Sequence, residues 1–84
     1  MRYTVTWVPT ALNKLADLYN NAPDRMAITE AANRIDQLLA VDPDQKGQAF
    51  QDNRILFQSP LAVTFAVYPD DRRVDVLEVE RISQ

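Results

Sequence analysis

The chain has 84 residues, 46% of them hydrophobic and 25% charged, and its 9 basic and 12 acidic groups give a net charge of −3. That length makes one domain, residues 1–84, and the apolar share is too high for a disordered segment. There is no Cys and no His, which excludes disulfides, thiolate nucleophiles, the Ser-His-Asp triad and nearly every transition-metal site. A single Gly cannot build a phosphate-cradling loop, and nothing in the composition calls for a cofactor or a metal. No apolar run approaches the roughly 20 residues that span a bilayer, so a soluble, cytoplasmic chain without membrane attachment is expected. The acidic balance also runs against tight nucleic-acid binding, in which phosphate neutralisation supplies most of the affinity.

Arg2 to Val8 alternates Tyr3, Val5 and Trp7 with Thr4 and Thr6, a period of two that predicts a strand. Pro9 ends it, and Thr10 is placed to cap a helix whose stripe is Leu12, Leu15, Ala16 and Tyr19. Asn20-Asn21-Ala22 breaks the pattern. Pro23 suits the first turn of a second helix, with Asp24 favouring its dipole and Ile28, Ala31, Ala32, Ile35, Leu38 and Leu39 facing inward. Val41 to Asp52, with Pro43, Gly47 and three Asp, reads as a loop. Three strands follow: Arg54–Gln58, Leu61–Tyr68 and Arg73–Ile82. Between Val76 and Leu77 the apolar set of the last strand changes face, which predicts a bulge. The order is β-α-α-β-β-β: an α+β domain with a helix hairpin packed on one face of a mostly antiparallel sheet. Val5, Trp7, Leu12, Leu15, Ile28, Ile35, Leu38, Val63, Phe65 and Val76 are the expected core.

Four groups of residues carry candidate chemistry. Asp42-Pro43-Asp44-Gln45-Lys46-Gly47 imitates the start of a calcium loop, but Lys46 brings a positive charge to the fifth position and Asn53 cannot supply the final bidentate carboxylate. It reads as an acidic turn. Glu78 and Glu80 share a strand face and are expected to be solvated or paired with Arg73 and Arg81. Trp7 is expected to anchor the core beneath the helices, and the three Tyr to sit at its margin. Arg54, Arg72, Arg73 and Arg81 all lie in the sheet half. Dispersed surface arginines are the plainer reading. Convergence of Arg54 and Arg81 on a concave sheet surface would instead offer bidentate donors to a phosphate or to a partner's carboxylates.

This layout resembles the RelE/ParE superfamily, the toxins of bacterial type II toxin–antitoxin and plasmid-stabilisation modules. The resemblance spans nearly the whole chain. It rests on the strand ending at Pro9, the helix hairpin, Asp42-Pro43 with Gly47, Arg54-Ile55-Leu56, Pro60 to Val67, and Asp71 to Leu77. The ribosome-dependent ribonucleases of that superfamily imply basic residues on the central strands and an Arg near the C-terminus, where they stabilise charge on the cleaved phosphate. Here Arg54 matches the basic residue opening the second strand, Arg81 falls near the C-terminal Arg, and Lys46 is the one Lys of the sheet half. Ala62 stands where the central-strand Arg belongs, and the sequence reaches Gln84 without a terminal Tyr. A gyrase-poisoning branch needs no nuclease set. The resemblance therefore implies a toxin-like component that acts by binding, with Arg54, Arg73 and Arg81 as partner-contact residues and a cognate antitoxin as partner. A messenger-cleaving ribonuclease on the ribosome using Arg54 and Arg81, and a non-toxic interaction domain that keeps the fold, are the alternatives. The target and the formation of a homodimer stay open at this point.

Overall fold

A computed structural model describes residues 2–82. Its elements run β1 (Thr4–Trp7), α1 (Pro9–Asn21), α2 (Arg25–Leu39), β2 (Gln48–Phe50), β3 (Asn53–Gln58), β4 (Leu61–Tyr68) and β5 (Arg73–Arg81), with short 3₁₀ turns at Pro43–Gln45 and Pro69–Asp71. One five-stranded sheet has the order β1-β5-β4-β3-β2. Four of its strands form an antiparallel meander, and β1 joins β5 in parallel, Thr4 opposite Arg73 and Trp7 opposite Val76. The α+β class and the helix hairpin on one face of a mostly antiparallel sheet are as expected.

Alternation sets the layers. Leu61, Val63 and Phe65 of β4 have no exposed surface, nor do Val74 and Val76 of β5. Ile28, Ala31, Ile35 and Leu39 of α2 and Ala11 of α1 close over them. The predicted bulge is present. Thr64 pairs with Glu78 while Phe65 pairs with Val76, so Leu77 is the extra residue that returns Val79 to the core. Val5, Trp7 and Leu15 pack against this core as partly buried residues. Trp7 also donates its indole Nε1–H to Asp36 Oδ1 at 2.7 Å, which ties β1 to α2.

Five expectations need correction. Helix α2 starts at Arg25 with Asp24 flanking it, so Pro23 lies before the helix rather than in its first turn. Helix α1 starts at Pro9 rather than after Thr10: Pro at the first position has the fixed φ a helix needs and no N–H to leave unsatisfied. Leu12 is 51% exposed, on the outer side of the hairpin, because the stripe of α1 is wider than the strip covered by the sheet. Leu38 is only partly buried and lies outside the core cluster. The loop at 41–52 contains β2, which pairs Gln48 with Ile55 and Phe50 with Asn53 across the turn at Gln51-Asp52. Gln51 has φ 56° there, the left-handed geometry that tight hairpin turns require. Gly47, with φ 65°, leads into β2; a Cβ on it would stand 2.2 Å from the Ile55 carbonyl oxygen.

Candidate functional site

The register decides where each arginine points. Arg54 is opposite Phe65, so it belongs to the helix side of the sheet. Its Nε and Nη2 donate to the carbonyls of Lys46 and Gly47 at 2.9 and 3.2 Å. Arg54 is therefore a clamp on the segment entering β2. It also lines a cleft of about 400 Å³ with Asp44 and Asp52, whose carboxylates disfavour an anion there. Lys46 donates its Nζ–H to the Val41 carbonyl at 2.6 Å and closes the same turn.

Arg81 lies four residues further along β4, opposite Leu61. Strands β3 and β5 are both antiparallel to β4, hence parallel to each other. The start of β3 and the end of β5 are consequently at opposite ends. Arg54 and Arg81 are roughly 13 Å apart along the strand and about 10 Å across it. They do not converge. Arg81 instead grips Asp24 through two bonds of 2.9 Å, Nη1–H to Oδ1 and Nη2–H to Oδ2. That bidentate hydrogen bonding holds the Asp24 carboxyl below its usual range and raises the guanidinium above its own. It also explains why Asp24, at the start of α2, makes no side-chain cap to that helix.

Arg73 is on the open side of the sheet, opposite Tyr68 and Thr4. Its guanidinium lies 4.7 Å from the Tyr68 ring centre, its Nε donates to Asp75 Oδ1 at 3.0 Å, and Asp71 is 3.8 Å from Nη1. Of the two expectations for Glu78 and Glu80, solvation holds and pairing with Arg73 and Arg81 does not: both are exposed, Arg73 takes Asp71 and Asp75, Arg81 takes Asp24, and Glu80 reaches Lys14 at 3.9 Å. Arg54, Arg73, Arg81 and Lys46 are thus all engaged within the fold, at separate places. Glu78 and Glu80 do share a face, opposite Thr64 and Ala62. The absence of a terminal Tyr at Gln84 lies outside the described residues.

Two further surfaces escaped the sequence. Between α1 and α2 runs an apolar groove of about 340 Å³ lined by Leu12, Leu15, Ala16, Tyr19, Ile28 and Ala32. On the open side of the sheet, Ile55 and Phe57 of β3 stand beside Thr64 and Ala62 of β4, with Phe50 of β2 one strand further out. The signal for the second was the alternation of β3 and β4, which becomes readable only once the register is known.

No protein family and no curated protein matches this chain by sequence. Solved structures do match by shape. A chain of the toxin–antitoxin complex RelBE2 from Mycobacterium tuberculosis superposes with a TM-score of 0.81 at 16% identity, over 100% of this chain and 95% of that one. A chain of the chromosomal ParDE system of P. aeruginosa gives 0.69 at 16% identity, over 98% of both. The archaeal RelE-RelB complex from Pyrococcus horikoshii OT3 gives 0.63 at 15%, over 100% of this chain and 99% of that one. The fold of this chain is the RelE/ParE toxin fold, from β1 through β5.

Proposed function

We propose that this chain is the toxin component of a bacterial two-protein toxin–antitoxin module, acting in the cytoplasm through a binding contact and silenced by a separate antitoxin chain. The observation that carries this is the superposition, end to end, on a chain solved within a toxin–antitoxin complex. The engagement of its cations supports binding over cleavage. A nuclease built on Arg54 and Arg81 would need both to leave their present partners, the Lys46 and Gly47 carbonyls and Asp24, and to turn toward each other from backbone positions roughly 16 Å apart (13 Å along β4 and 10 Å across). A scissile phosphate is a few ångströms wide. The non-toxic alternative differs from this reading in the cell, not in the fold.

Induced expression in bacteria tests it, with and without the neighbouring reading frame. Growth arrest relieved by that frame is the expected result, with cellular messengers intact and purified ribosomes leaving RNA uncut. Unimpaired growth would overturn the toxin reading. Cleavage of messenger that Arg54→Ala and Arg81→Ala abolish would replace binding with catalysis. Gyrase inhibition in a supercoiling assay, and the sedimentation of the free chain, read out the target and a homodimer.

A further inference from the structure

The open side of the sheet is a trough with two unlike walls. Its floor is Ala62, Thr64 and Ala66 of β4; Thr64 and Ala66 are small and keep part of their surface, while Ala62 is already buried. Along one side stand Ile55 and Phe57, continued by Phe50; the two phenylalanines are 53% and 44% exposed. Along the other side stand Asp75, Glu78 and Glu80 of β5. Arg73 is the one cation that the register puts on this face among the described residues, and Asp71 and Asp75 already neutralise it. Among the described residues Glu78 has no ion-pair partner, and Glu80 has only the 3.9 Å contact with Lys14, which reaches it from α1 and is 46% exposed.

Each wall excludes a class of occupant. Exposed phenylalanines favour apolar cover. A row of carboxylates with spare charge repels phosphate and acidic peptide and draws ammonium or guanidinium groups. The walls are two strand spacings apart, about 10 Å, the width of one helix or of a single extended segment. A second copy of this acidic chain brings no surplus of positive charge to meet β5. The groove between the helices carries no such charge signature, so nothing there selects an occupant.

We infer that this face docks a polypeptide segment lying along β4, apolar on its β3 side and carrying Lys or Arg on its β5 side. It rests on the toxin–antitoxin reading in one respect: the antitoxin is the chain that supplies the segment.

The probes are two short amphipathic peptides with one leucine stripe, flanked by Lys in the first and Glu in the second, and a polyuridine oligonucleotide. Amide chemical-shift mapping on the labelled chain should place the Lys peptide at Ile55, Phe57, Thr64 and Glu78. Its affinity should exceed that of the Glu peptide by about tenfold or more, fall with added salt, and drop about tenfold in a Glu78→Lys, Glu80→Lys variant that melts like the parent. Phe57→Ser should weaken it independently of salt. Equal binding of both peptides, shifts confined to the helix hairpin, polyuridine on the same amides, or a dimer covering this face would each overturn the inference. Growth arrest without peptide binding would remove the docking face and leave the toxin reading; peptide binding without growth arrest would do the reverse.

Discussion

Strand β4 shows the molecule's two sides in adjacent residues. Leu61, Val63 and Phe65 point to the helices and are fully buried, while Thr64 and Ala66 between and beyond them face the open side and keep part of their surface. One side is apolar at its centre, covered by α1 and α2, with Arg54 and Arg81 only at its margins. The other is mixed, with aromatics at one edge and carboxylates at the other. Strand periodicity allows the two sides to be separate in composition, so the packed one can hold the fold while the open one is free to vary in charge. No charged or polar residue is buried among the described residues, which puts stability almost wholly on the packed side.

Substitutions can break this contrast, and the largest effect belongs to the packed side. Phe65→Ala should cost about 3–5 kcal/mol in urea denaturation, a large share of what a domain of this size has. Less severe is Gly47→Ala. The left-handed backbone alone costs about 1–2 kcal/mol, and its Cβ must also push the Ile55 carbonyl and move β3. A circular-dichroism melt that moved by less than a degree would show that the turn before β2 is not fixed. Trp7→Phe keeps most of the ring's packing but loses the bond to Asp36, for a cost of about 1 kcal/mol. Asp24→Asn should destabilise more weakly and in a pH-dependent way. The carboxyl's folded pKa is depressed, so its contribution is present above the unfolded value near ~3.9 and is lost as pH falls through the folded one. Parent and variant should therefore differ in urea midpoint at pH 7 and converge in strong acid; a gap that persists at low pH would assign the effect to packing. Smallest of all is Phe57→Ala, expected within about 0.5 kcal/mol of the parent, because its ring lies on the open side.

Much of this architecture was legible in residues whose local pattern is strong. The bounds of β4, the bulge beside Leu77 and the hairpin of α1 and α2 follow from alternation, a change of face and 3.6-residue stripes. Strand β2 was not legible, because three residues are too few for a period of two to declare itself. The exposure of Leu12 was hidden for another reason: a stripe says which residues share a side of a helix, not how much of it a neighbour covers. The arginines failed on topology. Arg54 and Arg81 could meet only if β3 and β5 were adjacent and antiparallel, and the intervening β4 makes them parallel and remote. The trough was missed because its members are ordinary one by one: two phenylalanines, two alanines, a threonine and three carboxylates.

The parallel pairing of β1 with β5 has a consequence for how this domain assembles. Thr4 bonds across to the Arg73 strand, so nearly the entire chain lies in the loop that this contact closes. The helix hairpin and the β3-β4-β5 meander close short loops and can form early; β1 can add its bonds only after the meander exists, since β5 is its template. Mutations in β1 should then speed unfolding far more than they slow folding, the signature of contacts made after the transition state. On that order the edge of β5 that β1 occupies is bare until β1 docks, and an exposed strand edge is where chains can recruit one another. Thr4–Trp7 thus cover the Arg73–Val76 half of that edge once the domain is complete.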